Sequence, residues 1–212
     1  MITVKRKKTK EIRVGDIGIG GDNPIRIQSM ANTKTKDAAA TAAQINRLAE
    51  AGCEIVRVGI PDMESASALK HIKKAITLPI VADIHYDHRL ALASIENGAD
   101  KIRINPGNIG GMDKLGKVID SAKKHSIPVR IGINCGSLEK DLMEKHGGII
   151  TESAAFESVE RNIAYMWDFG FDNIIISVKS SDVLMNYSIN KLISEKYDYP
   201  LHIGITESGS DT

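Results

Sequence analysis

The 212 residues carry 28 Lys+Arg against 27 Asp+Glu, a formal net charge of +1, and 42% of them are hydrophobic. That balance excludes a disordered or fibrous chain and any whole-molecule field that would draw it to nucleic acid or a membrane surface. No apolar run approaches membrane-spanning length and nothing after Met1 resembles a leader, so a single cytoplasmic domain with no nucleic-acid or membrane partner is expected.

The chain opens with the basic run Lys5, Arg6, Lys7, Lys8 and Lys10, which reads as a solvated edge rather than a nucleic-acid arm. Residues 11–21, EIRVGDIGIGG, are two short strand-like runs joined through Gly15-Asp16, so a β-hairpin should precede the main fold as a plug or cap. From Pro24 one unit repeats. PIRIQSM is followed by a helix to Glu50, AGCEIVRVGIP by a helix to Ile76, LPIVADIHY by a helix to Asn97, and GADKIRINPG by a helix to His125. IPVRIGINCG then leads through a long connection into a helix ending at Phe169, GFDNIIISVKS precedes a helix to Lys196, and YPLHIGITES is a seventh strand.

Repeated βα units give parallel strands covered on both faces, in an open sheet or a closed barrel. Polar residues end every strand, which favours the barrel, because a barrel gathers all its C-terminal strand ends around one mouth. The expected fold is therefore an α/β (β/α)8 TIM-type barrel with an N-terminal β-hairpin, about seven of the eight βα units lying within residues 1–212.

Alternation along each strand selects the side chains that enter the mouth. Gln28, Arg57, Asp83, His85, Arg103, Asn105, Arg130, Asn134, Ser177, Lys179, His202 and Thr206 share the polar parity, and Glu207 lies where the last strand becomes loop. Four certain cations, Arg57, Arg103, Arg130 and Lys179, would face only Asp83 and Glu207. Such an excess is costly unless an anion binds, and planar guanidinium groups suit the paired oxygens of a diphosphate. Asn105 and Asn134, in RINPGN and GINCGS, fit ligand contacts and turn-capping equally well. Cys53 and Cys135 are too few and too far apart for a disulfide framework or a closed metal site and read as small buried hydrophobes; no metal-binding set is expected in this chain.

The segments IRIQSMANT, RVGIP, ADIHY, KIRINPGNIG, VRIGINCGSL, SVKSSD and LHIGITESG, in that order, closely resemble the N-terminal domain of the hydroxymethylbutenyl diphosphate synthase family. The resemblance implies a barrel that binds methylerythritol cyclic diphosphate. The full-length enzyme reductively opens that ring and eliminates water, with electrons from ferredoxin or flavodoxin. It assigns diphosphate binding to Arg57, Arg103, Arg130 and Lys179. His85, Asn105, Asn134, Ser177 and His202 would complete the hydrogen-bonded shell, Glu207 would be the catalytic acidic residue, and Asp83 joins the substrate-binding set by its strand parity. It also implies a homodimer and a C-terminal domain holding a [4Fe-4S] cluster, whose ligands this sequence lacks. Two other readings stay open at this stage, a dihydropteroate-synthase-like barrel and a diphosphate-binding module without catalysis.

Overall fold

A computed structural model of the chain describes residues 6–205. Strands β1 (Ile12–Val14) and β2 (Ile17–Ile19) pair antiparallel, Ile12 opposite Ile19 and Val14 opposite Ile17, around Gly15, whose φ of 58° suits a residue without Cβ. Ile12 and Val14 pack against Ile175, and the Gly15 turn lies beside Pro79 and Asp100, at the points where two later strands begin. The expected cap is thus in place, at the end of the sheet opposite the polar strand ends.

The main sheet has six parallel strands in sequence order: β3 (Gln28–Met30), β4 (Ile55–Gly59), β5 (Ile80–Asp83), β6 (Lys101–Ile104), β7 (Val129–Asn134) and β8 (Ile174–Lys179). Helices α1 (Ala38–Glu50), α2 (Met63–Ala75), α3 (His88–Glu96), α4 (Met112–Lys124), α6 (Glu152–Asp168) and α7 (Val183–Lys196) join or follow them, with a short α5 (Lys140–Lys145) after β7. The helix starts follow from chemistry legible in the sequence. Asp37, Asp62, Asp87, Thr151 and Asp182 each accept a hydrogen bond from a backbone N–H in the first turn, a cap worth about 1 kcal/mol.

Strand-order pairing with helices outside curls the sheet, so each strand has a helix-facing and an inward-facing row. Ile102, Ile104, Ile131, Ile133, Ile174, Ile176 and Val178 are all at most 2% exposed and belong to the main apolar core. Burying one such side chain contributes about 1.5–3 kcal/mol. The inward rows carry the polar residues. Register aligns Met30, Arg57, Val81 and Lys101 in one row and Gly59, Asp83, Arg103 and Arg130 in the next.

One expectation needs correction. The seventh strand is reduced to a single bridge between Leu201 and Ile176, fixed by hydrogen bonds from Ile176 N to Pro200 O (3.1 Å) and from His202 N to Ile176 O (2.8 Å). It has a neighbour on one side only among the described residues, and a strand paired on one side holds its extended form weakly. Within the long connection after β7, Cys135–Ser137 form a 3₁₀ turn and Lys140–Lys145 the helix α5.

Arg6, Lys7 and Lys10 of the basic N-terminal run pack against segments near this bridge. Arg6 donates to Asn23 O, Lys7 to Tyr197 O and Ser194 O and pairs with Asp198, and Lys10 pairs with Asp172 while lying over the Tyr199 ring. Backbone carbonyls and local carboxylates therefore occupy these charges.

Candidate anion-binding site in the barrel mouth

Asp83 is the hub. It is 4% exposed, and its carboxylate lies 3.2 Å from Arg103 Nη1, 3.6 Å from Arg57 Nε and 3.8 Å from His85 Nε2. Arg103 also donates from Nη2 to Gly132 O at 3.0 Å, and Arg57 lies against Met30 Sδ at 2.8–3.1 Å. Both arginines are thereby held with part of each guanidinium free to meet a ligand.

Arg130 differs. It is 1% exposed, and its Nε and Nη1 have no hydrogen-bond partner among the described residues. Buried donors of a charged group are rarely left so, because each forfeits its hydration. Burial, then repulsion from Arg57 and Arg103, lowers the proton affinity of this guanidinium, with Asp83 acting in the opposite sense. Lys179 is lowered by burial and by Arg57, Arg130 and Arg103. His202 is pushed down to about 2 by burial and then by Arg130, Lys101, Lys179 and Arg57, so it is a neutral imidazole at any physiological pH.

Lys101 belongs to this group, and alternation alone did not single it out. It stands two residues before Arg103 on β6, on the same inward face, is 1% exposed, and is pushed down to about 7 by burial and by Arg130. A signal was present in the K-x-R spacing, but a lysine opening a strand reads as a rim residue until the barrel depth is known.

Glycines make the room for these cations. A Cβ at Gly132 would lie 2.1 Å from Arg103 Nε, and one at Gly204 would lie 3.0 Å from Lys179 Cε. The long side chains pass directly over bare backbone at both places.

Among the remaining expected residues, Ser177 is buried on the inward row beside Gly132. His85 stands at the rim with its side chain 60% exposed. Asn105 and Asn134 cap turns: Oδ1 of Asn105 accepts from Gly107 N at 3.1 Å and Oδ1 of Asn134 from Gly136 N at 3.0 Å. Thr206 and Glu207 fall outside the described residues.

A buried polar network behind the mouth fixes two of its loops. Asn162 Oδ1 accepts from Gly107 N at 3.0 Å, its Nδ2 donates to Glu139 Oε1 at 3.0 Å and to Ser158 O at 2.8 Å, and Ser158 Oγ donates to Glu139 Oε2 at 2.7 Å. The loops after β6 and β7 are thus tied to α6. Asn162→Leu should cost about 1–3 kcal/mol in equilibrium urea unfolding, because Glu139 and Gly107 each lose a buried partner; an unchanged unfolding midpoint would show that the network adds no stability.

Cys53 and Cys135 are buried far apart in the fold. Cys53 Sγ donates to Ile55 O at 3.0 Å at the start of β4, whereas Cys135 follows β7 with its thiol raised chiefly by burial. Among the described residues no group of three or more His, Cys, Asp or Glu side chains could hold a metal ion. These residues do not fit an iron–sulfur cluster. No helix among them is long and apolar enough to cross a membrane.

Four cations, Arg57, Arg103, Arg130 and Lys179, and a single described carboxylate therefore converge inside the curled sheet toward its C-terminal strand ends, the place such barrels reserve for ligands, with Lys101 one inward row deeper at the start of β6. Comparison with known proteins agrees with this architecture. A family model describing the GcpE TIM-barrel domain matches residues 9–212. The chain is 56% identical over 207 residues to a 4-hydroxy-3-methylbut-2-en-1-yl diphosphate synthase (flavodoxin) of Maridesulfovibrio salexigens, covering 98% of this chain and 58% of that protein. It is 52% identical over 205 residues to the protein of the same name from Bacillus subtilis, covering 97% and 54%. The chain thus spans little more than half the length of these curated relatives.

Among solved structures, a truncated 3-deoxy-D-arabino-heptulosonate 7-phosphate synthase from Thermotoga maritima aligns with a TM-score of 0.66 at 15% identity, covering 92% of this chain and 68% of that one. A 7,8-dihydropteroate synthase from Vibrio fischeri aligns at 0.64 and 13%, covering 91% and 76%. At such identities the likeness is one of fold alone, so it gives the dihydropteroate-synthase reading no support beyond architecture. The sequence match over residues 9–212 is of another order, and it places this chain in the GcpE family, within that family's TIM-barrel domain.

Proposed function

We propose that residues 1–212 form the substrate-binding domain of a hydroxymethylbutenyl diphosphate synthase, and that the barrel mouth binds the diphosphate of methylerythritol cyclic diphosphate. The observation that carries this reading is Arg130, buried with two donors unpartnered and surrounded by Arg57, Arg103, Lys179 and Lys101. A bound diphosphate would supply the acceptors those donors lack and offset the mutual repulsion of the cations. Arg57 and Arg103, braced by Asp83, would hold one phosphate oxygen pair, and neutral His202 and Ser177 would offer hydrogen bonds without adding charge. Asn105 and Asn134 would act through the turns they cap, and His85 at the rim.

In the whole protein the reaction takes in two electrons and two protons, breaks the ring C–O bond and releases water with the linear allylic diphosphate. The names of the relatives point to flavodoxin as electron donor, with ferredoxin the other candidate. A [4Fe-4S] cluster held by sequence beyond these residues would supply the electrons. The barrel's own part is to bind the diphosphate, neutralise its charge and exclude water from it. A homodimer in the cytoplasm is the proposed working form, and Glu207 the proposed acid beside the departing hydroxyl.

Glu207→Gln in the full-length protein tests the chemical assignment. Turnover should fall about 10²–10⁴-fold, the range for loss of a general acid, with substrate affinity nearly unchanged. Normal turnover would remove Glu207 from the mechanism, and failure of the wild type to bind the cyclic diphosphate would remove the reading altogether.

A further inference from the structure

Lys101 and Arg130 are the two largest fully buried side chains among the described residues, and they sit on adjacent strands. The Lys101 amine has one hydrogen-bond acceptor, Gln28 Oε1 at 3.2 Å, and no carboxylate within ion-pair distance among the described residues. It lines a cavity of about 510 Å³ whose lining includes Lys179 and His202 toward the mouth and Arg6, Lys7 and Arg26 behind, and among the described residues no Asp or Glu. Arg26 is committed to Glu54 at 2.7 Å, and Lys7 to Asp198.

Among the described residues, the groups around this amine leave it no partner of opposite charge. Gln28 on β3 is neutral, and so is His202 beyond β8; Arg57, Arg130 and Lys179 are cations; Asp83 on β5 is engaged by Arg57 and Arg103. An ammonium at this position is held among like charges with its hydration removed, a state that either loss of the proton or an incoming anion relieves.

We propose that Lys101 is a further anion-binding residue of this site and that it is charged by its ligand: a diphosphate seated against Arg130 binds together with a proton taken up by the Lys101 amine. This rests on the anion reading of the mouth given above. The linkage has a definite sign. In the empty site the amine is held well below its ordinary value, near 7, and a bound anion raises it, so the protonated form belongs to the complex. Anion affinity should therefore fall as pH rises above about 7, by up to about tenfold per pH unit.

Calorimetric titration of the full-length protein with inorganic pyrophosphate at pH 8, in two buffers of different ionisation enthalpy, counts the proton. Wild type should take up close to one proton more than Lys101→Arg, which stays charged throughout, and the two proteins share whatever the pyrophosphate itself exchanges. Lys101→Met, an apolar replacement of similar shape, should show the same missing proton and a loss of affinity of about tenfold or more at pH 6, where Lys101→Arg retains binding. Equal proton uptake by wild type and both variants, with pyrophosphate bound by all three, would overturn the coupling while leaving the anion site standing. No pyrophosphate binding by wild type would overturn the anion reading, and the coupling with it.

Discussion

Arg103→Ala is expected to weaken binding of the cyclic diphosphate by about 1.5–3 kcal/mol, the range for hydrogen bonds to a charged group, which is roughly a 10- to 150-fold rise in Kd. Arg103 is the cation whose position the fold specifies most completely. Asp83 takes Nη1, Gly132 O takes Nη2, and the absent Cβ of Gly132 leaves space for Nε, Cζ and Cδ, which would lie 2.1, 2.9 and 3.0 Å from it. Gly132→Ala should therefore act largely through Arg103, displacing the guanidinium from both partners and weakening binding by an amount similar to Arg103→Ala. The double variant should be no worse than the poorer single one, because the two changes remove the same interaction. Gly136→Ala is the control: its added Cβ would meet only Asn134 Oδ1, at 3.5 Å, and affinity should hardly change. Calorimetry on the four variants checks the set. Undiminished affinity in Arg103→Ala would take this residue out of the site, and additive losses in the double variant would show that Gly132 acts by another route.

The second large effect is on the state of the isolated 212-residue chain in solution. β3 is one edge of the six-stranded sheet, and the other edge is extended only by the Leu201 bridge, so among the described residues the barrel wall is open between them. Large apolar side chains crowd both sides of that gap. Ile25 and Ile27 are 80% and 61% exposed before β3, Leu184 and Tyr187 78% and 66% on α7, and Ile203 60% beyond the bridge. They do not form the scattered pattern of an ordinary surface; they mark faces made to be covered. Unpaired strand edges beside such faces template association with other chains. The isolated chain is expected to self-associate or aggregate at micromolar concentration, whereas the same chain extended by one further βα unit is expected to be soluble and to melt cooperatively. Sedimentation velocity and thermal melting decide the matter. A monodisperse 23.0 kDa species with a sharp transition would show that the six strands and their bridge suffice.

The linear order of the residues determined the architecture and the core of the site. Local physics was enough for the βα units: runs such as IVRVG and VRIGIN are too apolar for a sheet with a wet face, each is followed by an Asp or Thr cap or by a turn, and short connections leave consecutive strands parallel and adjacent. Period-two alternation then put Arg57, Asp83, Arg103, Arg130 and Lys179 on one side of their strands, and the structure brings those side chains together. Asp83 takes two of the cations, which leaves Arg130 without a partner for Nε and Nη1.

Depth and pairing were decided only by the tertiary fold. The burial of Lys101 is not legible locally, because it depends on how far one strand is staggered against the next, and its one acceptor among the described residues, Gln28, lies 73 residues away in the chain. Nothing local marks Gly132 and Gly204, because the side chains that occupy the space above them, Arg103 and Lys179, come from other strands. Glu139, Ser158 and Asn162 carried no readable pattern at all, since their hydrogen bonds join two loops to a helix across 19 to 55 residues. Alternation is a property of neighbours along the chain and survives in the sequence; enclosure is a property of residues far apart in it, and curling the sheet around its inward rows is what turned a set of polar strand residues into a buried cluster of charge.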